Sequence, residues 1–448
     1  MINLNTNLLK GNIVKTLIIF AIPIFISNVF QQLYNTVDTM IVGNFLKDTS
    51  LAAIGACAAI FELMVGFTVG VGSGMSIVAA RFFGAGDTEN LKKSVTASII
   101  IGVLISLFIM IISKICLMPL LRILDTPSEI INESYSYIST VTMFVGVMFL
   151  YNLASGLLRA IGNSVMPLVF LIISSILNIV LDLLFITKLN MGIRGTAIAT
   201  VISQAVSGIL CILYILKRTK VLVPSKKHFK FDKNIYKEIL SQGLSMGFML
   251  SIVSTGTVIL QSSINKLGYL IIAGHTAARR LSSLCTMPIG TLAVSLATFI
   301  SQNKGADKKE RIVKAVRFAN IMAIIYAAII SVILLFSASF LVQLLSGSKE
   351  HDVIYNGARY LMINAPFYSV LGILLNLRNA LQGLGEKVIP LVSSIIEFTG
   401  KVIFVILFIP YLKYFGVIIC EPVVWCFMCL QLWFSFYKNP YIKSLVLN

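Results

Sequence analysis

Charged residues are scarce in this chain: only 12% of its 448 residues are Asp, Glu, Lys or Arg. A soluble chain of this length carries about a quarter charged residues, so the composition excludes a soluble globular protein. The hydrophobic residues, 57% of the total, come in blocks of roughly twenty or more, which is the length that crosses a hydrocarbon core ~30 Å thick. Because lipid offers no partner to backbone polar groups, these blocks are predicted to be helices.

Acidic residues are the scarcer charge, with 18 Asp and Glu against 36 Lys and Arg. The basic residues stand between the apolar blocks, so we expect the lipid bilayer rather than a nucleic acid as the partner. With the amino terminus inside, 23 Lys and Arg fall on the inner side and nine on the outer side. This asymmetry predicts a multi-pass protein of the cell (plasma) membrane with both termini cytoplasmic.

The chain also lacks the usual motifs of catalysis and metal binding. It has no Walker motif, no HExxH and no nucleophile elbow, so we expect neither an enzyme nor a cofactor. Cys426 and Cys429 form a CxxC inside an apolar block without a second pair or a nearby His, which favours packing over zinc or redox chemistry. Gly70, Gly72 and Gly74 lie within a span without a preceding strand, which indicates close helix packing and not a dinucleotide loop.

Twelve apolar spans can be drawn along the sequence. They run approximately over 14–45, 51–80, 92–117, 134–160, 165–187, 195–216, 238–265, 269–300, 312–345, 357–384, 388–411 and 415–437. The one long polar stretch divides the chain into an amino-terminal lobe (1–218), a basic cytoplasmic linker (219–237) and a carboxyl-terminal lobe (238–448). The predicted fold is therefore an all-α polytopic membrane protein with six helices in each lobe.

The two lobes repeat each other. The pairs of matching landmarks are Gly84-Ala85 with Gly305-Ala306, the run Gly162 to Pro167 with Gly385 to Pro390, and Gly195 with Gly416. Their offsets are 221, 223 and 221 residues, and each pair holds the same place in its lobe. Because six spans return the chain to the side where it started, the repeats are predicted to be parallel, related by a pseudo-twofold axis along the membrane normal.

Polar residues inside the spans are the first candidates for a site. Asp38 lies ~13 Å inward of Lys47, and Asp182 and Thr200 each lie ~9 Å inward of their nearest outer-loop charge, at ~1.5 Å per residue. Asn178 is one turn deeper than Asp182 on the same helix face. We expect these four residues to meet and to bind a hard cation such as Na⁺, or the two acids to share a proton. The alternative is that backbone or water satisfies each group separately.

Other polar residues are candidates for a substrate cavity. Glu62 is either a structural acid or a cavity group. Glu397 and Lys401 are spaced i, i+4 and are expected to form an ion pair rather than to contact substrate, with Glu421 in reach of Lys401. Of Arg279 and Arg280, one is expected to pair with an acid that the sequence does not identify. The candidate substrate-cavity residues are Gln31, Asn35, Glu62, Met64, Arg279, Glu397 and Lys401.

Several short elements together resemble the multidrug and toxic compound extrusion (MATE) family. They are Pro23 with Asp38, the run Arg81-Phe-Phe-Gly84-Ala85-Gly86, the run Gln302-Asn303-Lys304-Gly305-Ala306, Arg159-Ala-Ile-Gly162 with Pro167, and Asn178 with Asp182, Gly195 and Thr200. The resemblance implies twelve helices in two lobes, with Asp38, Asn178, Asp182 and Thr200 at an amino-lobe cation site. It also implies export of organic cations and amphipathic drugs, driven by Na⁺ or H⁺. Some members carry essential carboxylates in the seventh and tenth spans, and this chain has none there.

The sequence thus predicts a secondary active transporter. We expect cation-coupled antiport, with Na⁺ or H⁺ as the coupling ion and small amphipathic, cationic drugs or toxic compounds as substrates. No obligate protein partner is inferred. The alternative is a lipid-linked oligosaccharide or polysaccharide flippase of a related fold, for which Arg279, Arg280, Arg378 and Lys401 would supply cavity cations. An intramembrane enzyme or sensor would need a nucleophile with its base or a set of metal ligands at one depth, and the sequence offers neither.

Overall fold

The computed structural model describes residues 5–46, 48–124 and 126–446, and the described chain is helical with no β-strand. Lys47, from which the depth of Asp38 was estimated, lies outside the described residues. The first and last few residues of the chain, which belong to the two predicted lobes, also lie outside them. The helices are α1 (Ile13–Phe45), α2 (Asp48–Gly84), α3 (Thr88–Ile123), α4 (Ile131–Met143), α5 (Val145–Ala160), α6 (Val165–Leu183), α7 (Gly192–Arg218), α8 (Lys233–Asn265), α9 (Tyr269–Gly305), α10 (Lys309–Ser346), α11 (His351–Asn364), α12 (Tyr368–Gly383), α13 (Val388–Ile403), α14 (Ile409–Leu412), α15 (Tyr414–Lys438) and α16 (Pro440–Val446).

The number of predicted spans agrees with the described helices. Eleven helical stretches are long and apolar enough to cross a membrane, and α4 with α5 makes a twelfth that is bent by 47°. The predicted span 134–160 therefore contains a break at Phe144, which the hydropathy of the sequence does not reveal. Several helices are also longer than their predicted spans, most clearly α3, which begins at Thr88 instead of residue 92.

Local backbone geometry repeats along the chain as the landmarks predict. Gly162 and Gly385 end equivalent helices with φ of 89° and 81°, in the left-handed region that glycine adopts without steric cost. A π-helical turn follows α6 at Leu184–Lys188 and another follows α13 at Phe404–Phe408. The two halves thus carry the same irregularities at the same places.

The described residues form two compact units whose limits differ from the predicted lobes. The amino-terminal unit holds 5–11 and 19–251, and the carboxyl-terminal unit holds 12–18 and 252–446. The predicted linker 219–237 belongs to the amino-terminal unit because its short 3₁₀ turns pack on α3 and α7 and Leu222 joins the hydrophobic core. The boundary between the units therefore falls inside the continuous helix α8, between Ser251 and Ile252.

Small residues explain how α8 packs on α2 within the amino-terminal unit. A Cβ added at Gly70 would lie 2.5 Å from the Met246 carbonyl oxygen, and one added at Gly74 would lie 2.5 Å from the Gln242 carbonyl oxygen. Such close backbone approach is open only to glycine. The glycine run in α2 is therefore a helix-packing surface, as the sequence predicted.

Candidate functional site

Two acids from different helices meet in the amino-terminal unit. Asp38 lies on α1 and Asp182 on α6, and their carboxyl groups are close enough to interact electrostatically. Asp182 is fully buried and continues a buried polar stripe of Ser174, Ser175 and Asn178 on α6. The spacing of that stripe, three to four residues, places its members on one helix face.

The oxygens of this acid pair lack hydrogen-bond donors. Within the described residues, Asp38 Oδ1 and both carboxyl oxygens of Asp182 are buried without a hydrogen-bond partner, and so are both amide atoms of Asn178. Buried polar atoms without partners are costly. Carboxylate and amide oxygens are the ligands of hard cations, so these oxygens could bind Na⁺. Because the two acids are close together, they could instead share a proton.

A small cavity lies next to this polar stripe of α6. Asn178 and Thr200 line it together, while Asp38 and Asp182 do not. Asn178, one turn from Asp182 on α6, therefore lies between the cavity and the acid pair. The other residues of its wall are Gln31, Tyr34, Tyr151, Leu171, Ser174, Ser175, Ser203, Gln204 and Ser207. No group of three or more His, Cys, Asp or Glu that could hold a metal occurs among the described residues, so Asn178 and Thr200 would have to complete the oxygen set.

Tyr34 and Gln204 are among the cavity residues that the sequence reasoning missed. Tyr34 on α1 and Gln204 on α7 face the same cavity, together with Gln31. Tyr34 precedes Asp38 by four residues, and Gln204 follows Thr200 by four. A search for polar residues one turn from each candidate would have found both.

Only one of the remaining amino-terminal candidates lines this cavity. Gln31 lines the cavity, but Asn35, Glu62 and Met64 are not among its lining residues. Asn35 and Glu62 are exposed, whereas Met64 packs against a hydrophobic cluster that includes Cys57 and Met148. A role in binding substrate stays a prediction for these three residues.

In the carboxyl-terminal unit, Glu421 on α15 has a specific basic partner. Arg279 Nη1 donates to its two carboxyl oxygens at 2.9 and 2.8 Å, and the Tyr360 hydroxyl donates to Oε2 at 2.8 Å. Arg280 is exposed instead. The basic residue that pairs with an acid is therefore Arg279, which shares its helix face with the buried His275.

The predicted pair of Glu397 and Lys401 is present and belongs to a larger network. Lys401 Nζ lies 2.9 Å from Glu397 Oε1 and 4.0 Å from Glu421 Oε1, which confirms that Glu421 can reach Lys401. Arg378 Nη2 lies 3.6 Å from Glu397 Oε2. Five charged side chains from α9, α12, α13 and α15 thus form one connected network, in which Glu397 and Lys401 are already paired.

Comparison with known proteins identifies the family. The MatE family model matches residues 23–184 and again 246–407, which together make up most of the chain. The chain belongs to the MatE family. The repeated match also follows the internal repeat that the landmarks predicted, at an offset of 223 residues.

Similar proteins cover nearly the whole chain. The Probable multidrug resistance protein YoeA of Bacillus subtilis is 28% identical over 97% of this chain and 96% of its own length. The Multidrug export protein MepA of Staphylococcus saprophyticus is 23% identical over 89% and 88%. Among solved structures, an outward-facing multidrug resistance MATE family transporter has a TM-score of 0.88 at 24% identity and covers 98% of each chain.

These comparisons confirm the predicted resemblance to the MATE family and the predicted twelve-helix architecture. Membership in a transporter family also confirms the prediction that the MatE chain is a transporter and not an enzyme.

Proposed function

We propose that this MatE chain is a secondary active antiporter that exports small amphipathic, cationic compounds across the plasma membrane, driven by inward movement of Na⁺ or H⁺. The names of its relatives, multidrug resistance protein and multidrug export protein, support the substrate class. The charge asymmetry of the loops supports cytoplasmic termini.

The proposal depends above all on the pairing of Asp38 with Asp182. Two carboxylates close enough to interact repel strongly in a low-dielectric interior unless a cation or a proton lies between them. Asn178 and Thr200 supply neutral oxygens on the cavity side. A Na⁺ ion would be held by the two acids with these oxygens, and a proton would be shared by the two acids.

Coupling follows if the cation binds one conformation more tightly than the other. A ligand shifts a conformational equilibrium only by its differential affinity for the two states. Pro23 interrupts the hydrogen-bond ladder of α1, the helix that also carries Asp38, so this helix can bend at low cost. We infer that neutralising the acid pair changes the bend of α1 and favours release of the drug.

The flippase alternative gains no support from the relatives described above. Three of the four cations that would have suited an anionic lipid-linked sugar, Arg279, Arg378 and Lys401, are engaged by Glu397 and Glu421. They do not form a row of free charges facing a polyanionic substrate.

The experiment is efflux of a fluorescent organic cation from proteoliposomes, driven in turn by a Na⁺ gradient and by a proton gradient. Asp38→Asn and Asp182→Asn should each abolish gradient-driven efflux while the protein stays folded in the membrane. Asp352→Asn, at an exposed acid, is the matched control and should transport like the parent chain. Undiminished efflux by Asp182→Asn would refute the proposal.

A further inference from the structure

A second, small cavity lies within the carboxyl-terminal unit. Its polar wall comes from Thr257, Gln261, His275, Arg279, Tyr360 and Glu421. Its remaining wall is aliphatic, from Leu260, Ile264 and Val417. The cation-coupling proposal does not use this cavity.

The charged network at this cavity carries more positive than negative charge. Arg279, Arg378 and Lys401 contribute three positive charges, and Glu397 and Glu421 contribute two negative charges, within ion-pair distances of 4.0 Å or less. Apart from Arg279, these residues are 2–8% exposed. A surplus charge inside a membrane protein is costly unless a counter-charge is close.

Arg279 is the cation of this network that lines the cavity, together with its partner Glu421. The Arg279 side chain is 39% exposed and lines the cavity wall. Of the five N–H donors that a guanidinium carries, the hydrogen bonds seen among the described residues use only those on Nη1. The donors on Nε and Nη2 therefore remain for a ligand, while both oxygens of Glu421 already accept hydrogen bonds.

We propose that this cavity binds one small monovalent anion, held by the Arg279 guanidinium. The two candidate sources are an inorganic halide and the carboxylate of a small organic molecule. The aliphatic wall of Leu260, Ile264 and Val417 favours a carboxylate with a compact apolar body. The site is separate from Asp38 and Asp182, so failure of either proposal leaves the other standing.

The first test measures the thermal unfolding midpoint of the full chain in detergent at constant sodium concentration, with chloride, benzoate or gluconate as the anion. A ligand that binds only the folded state raises the midpoint with its concentration. Chloride or benzoate should raise it saturably relative to gluconate, which is bulkier and strongly hydrated. A response to chloride alone would identify a halide site, and a stronger response to benzoate a carboxylate site. No saturable response to either anion would overturn the proposal.

The second test uses two variants whose side chains lie outside the cavity wall and whose effects have opposite signs. Lys401→Met makes the network neutral and should weaken anion affinity about tenfold, the effect of a unit charge roughly 10 Å away at an effective dielectric constant of about 20. Glu397→Gln removes one negative charge and so doubles the net positive charge of the network. It should strengthen anion affinity by a similar factor. Lys349→Gln, at an exposed lysine, should leave affinity unchanged.

Opposite shifts of the two variants, with the control unchanged, would support binding by the surplus charge. Shifts in the same direction, or no shift in either, would overturn it. If Lys401→Met does not fold, the comparison of Glu397→Gln with the parent chain still tests the proposal. A substitution that only disrupts the packing of the network is not expected to tighten anion binding.

Discussion

The Arg279–Glu421 pair allows a quantitative prediction about stability. Glu421 is 6% exposed and accepts hydrogen bonds from Arg279 and Tyr360, with Lys401 4.0 Å away. Glu421→Gln would leave two cations without this counter-charge. Removing one partner of a buried ion pair costs ~3–5 kcal/mol. Since the Arg279 side chain is 39% exposed, solvent screens part of this loss, and we expect the lower end, ~3 kcal/mol.

The assay is denaturant or thermal unfolding of the purified chain in detergent, read as a double-mutant cycle with Arg279→Gln. The double variant Arg279→Gln with Glu421→Gln should be less destabilised than the sum of the two single variants, because it leaves no unpaired charge at this position. A Glu421→Gln variant within ~1 kcal/mol of the parent chain would refute the reasoning, since that is the range of exposed pairs. Additive single effects would refute it equally.

Two further predictions concern packing and pH. Gly74→Ala should destabilise the amino-terminal unit by ~1–3 kcal/mol, because the added Cβ would lie 2.5 Å from the Gln242 carbonyl oxygen. Gly55→Ala, which meets no atom within 4 Å, should be neutral or stabilising in the same unfolding assay. Outside the spans, the Ile235 backbone N–H, together with Lys93, holds the pKa of Asp232 below its ordinary value. This stabilising effect is therefore full above the unfolded-state pKa and is lost as pH falls through the folded-state pKa. The stability difference between the parent chain and Asp232→Asn should shrink on acidification, and a constant difference would contradict this.

Properties that depend on one helix at a time were predictable from the sequence. The apolar blocks predicted the spans because the bilayer sets their length and forces their helical form. Glu397 and Lys401 could be paired because a separation of four residues on one helix fixes their proximity. The left-handed turns at Gly162 and Gly385 were visible as repeated glycines for the same local reason.

Contacts between distant helices were less predictable. Arg279 and Arg280 are neighbours in sequence, and only the rotation of α9 about its axis decides which one meets Glu421. The packing of the linker on α3 and α7 was missed because its polar composition hides buried apolar residues such as Leu222 and Ile235. The proximity of Asp38 and Asp182 was expected from their depth alone, whereas the position of Tyr34 and Gln204 at one cavity became visible only with the helices in place.

The central claim is that Asp38 and Asp182 together bind the coupling cation, and direct binding tests it most simply. Isothermal titration calorimetry with Na⁺ and a parallel measurement of proton uptake would be carried out on the purified parent chain and on Asp182→Asn. We predict that the parent chain binds one Na⁺ or takes up one proton at this pair, and that Asp182→Asn loses this binding while remaining folded. Equal binding by the two proteins would contradict the account.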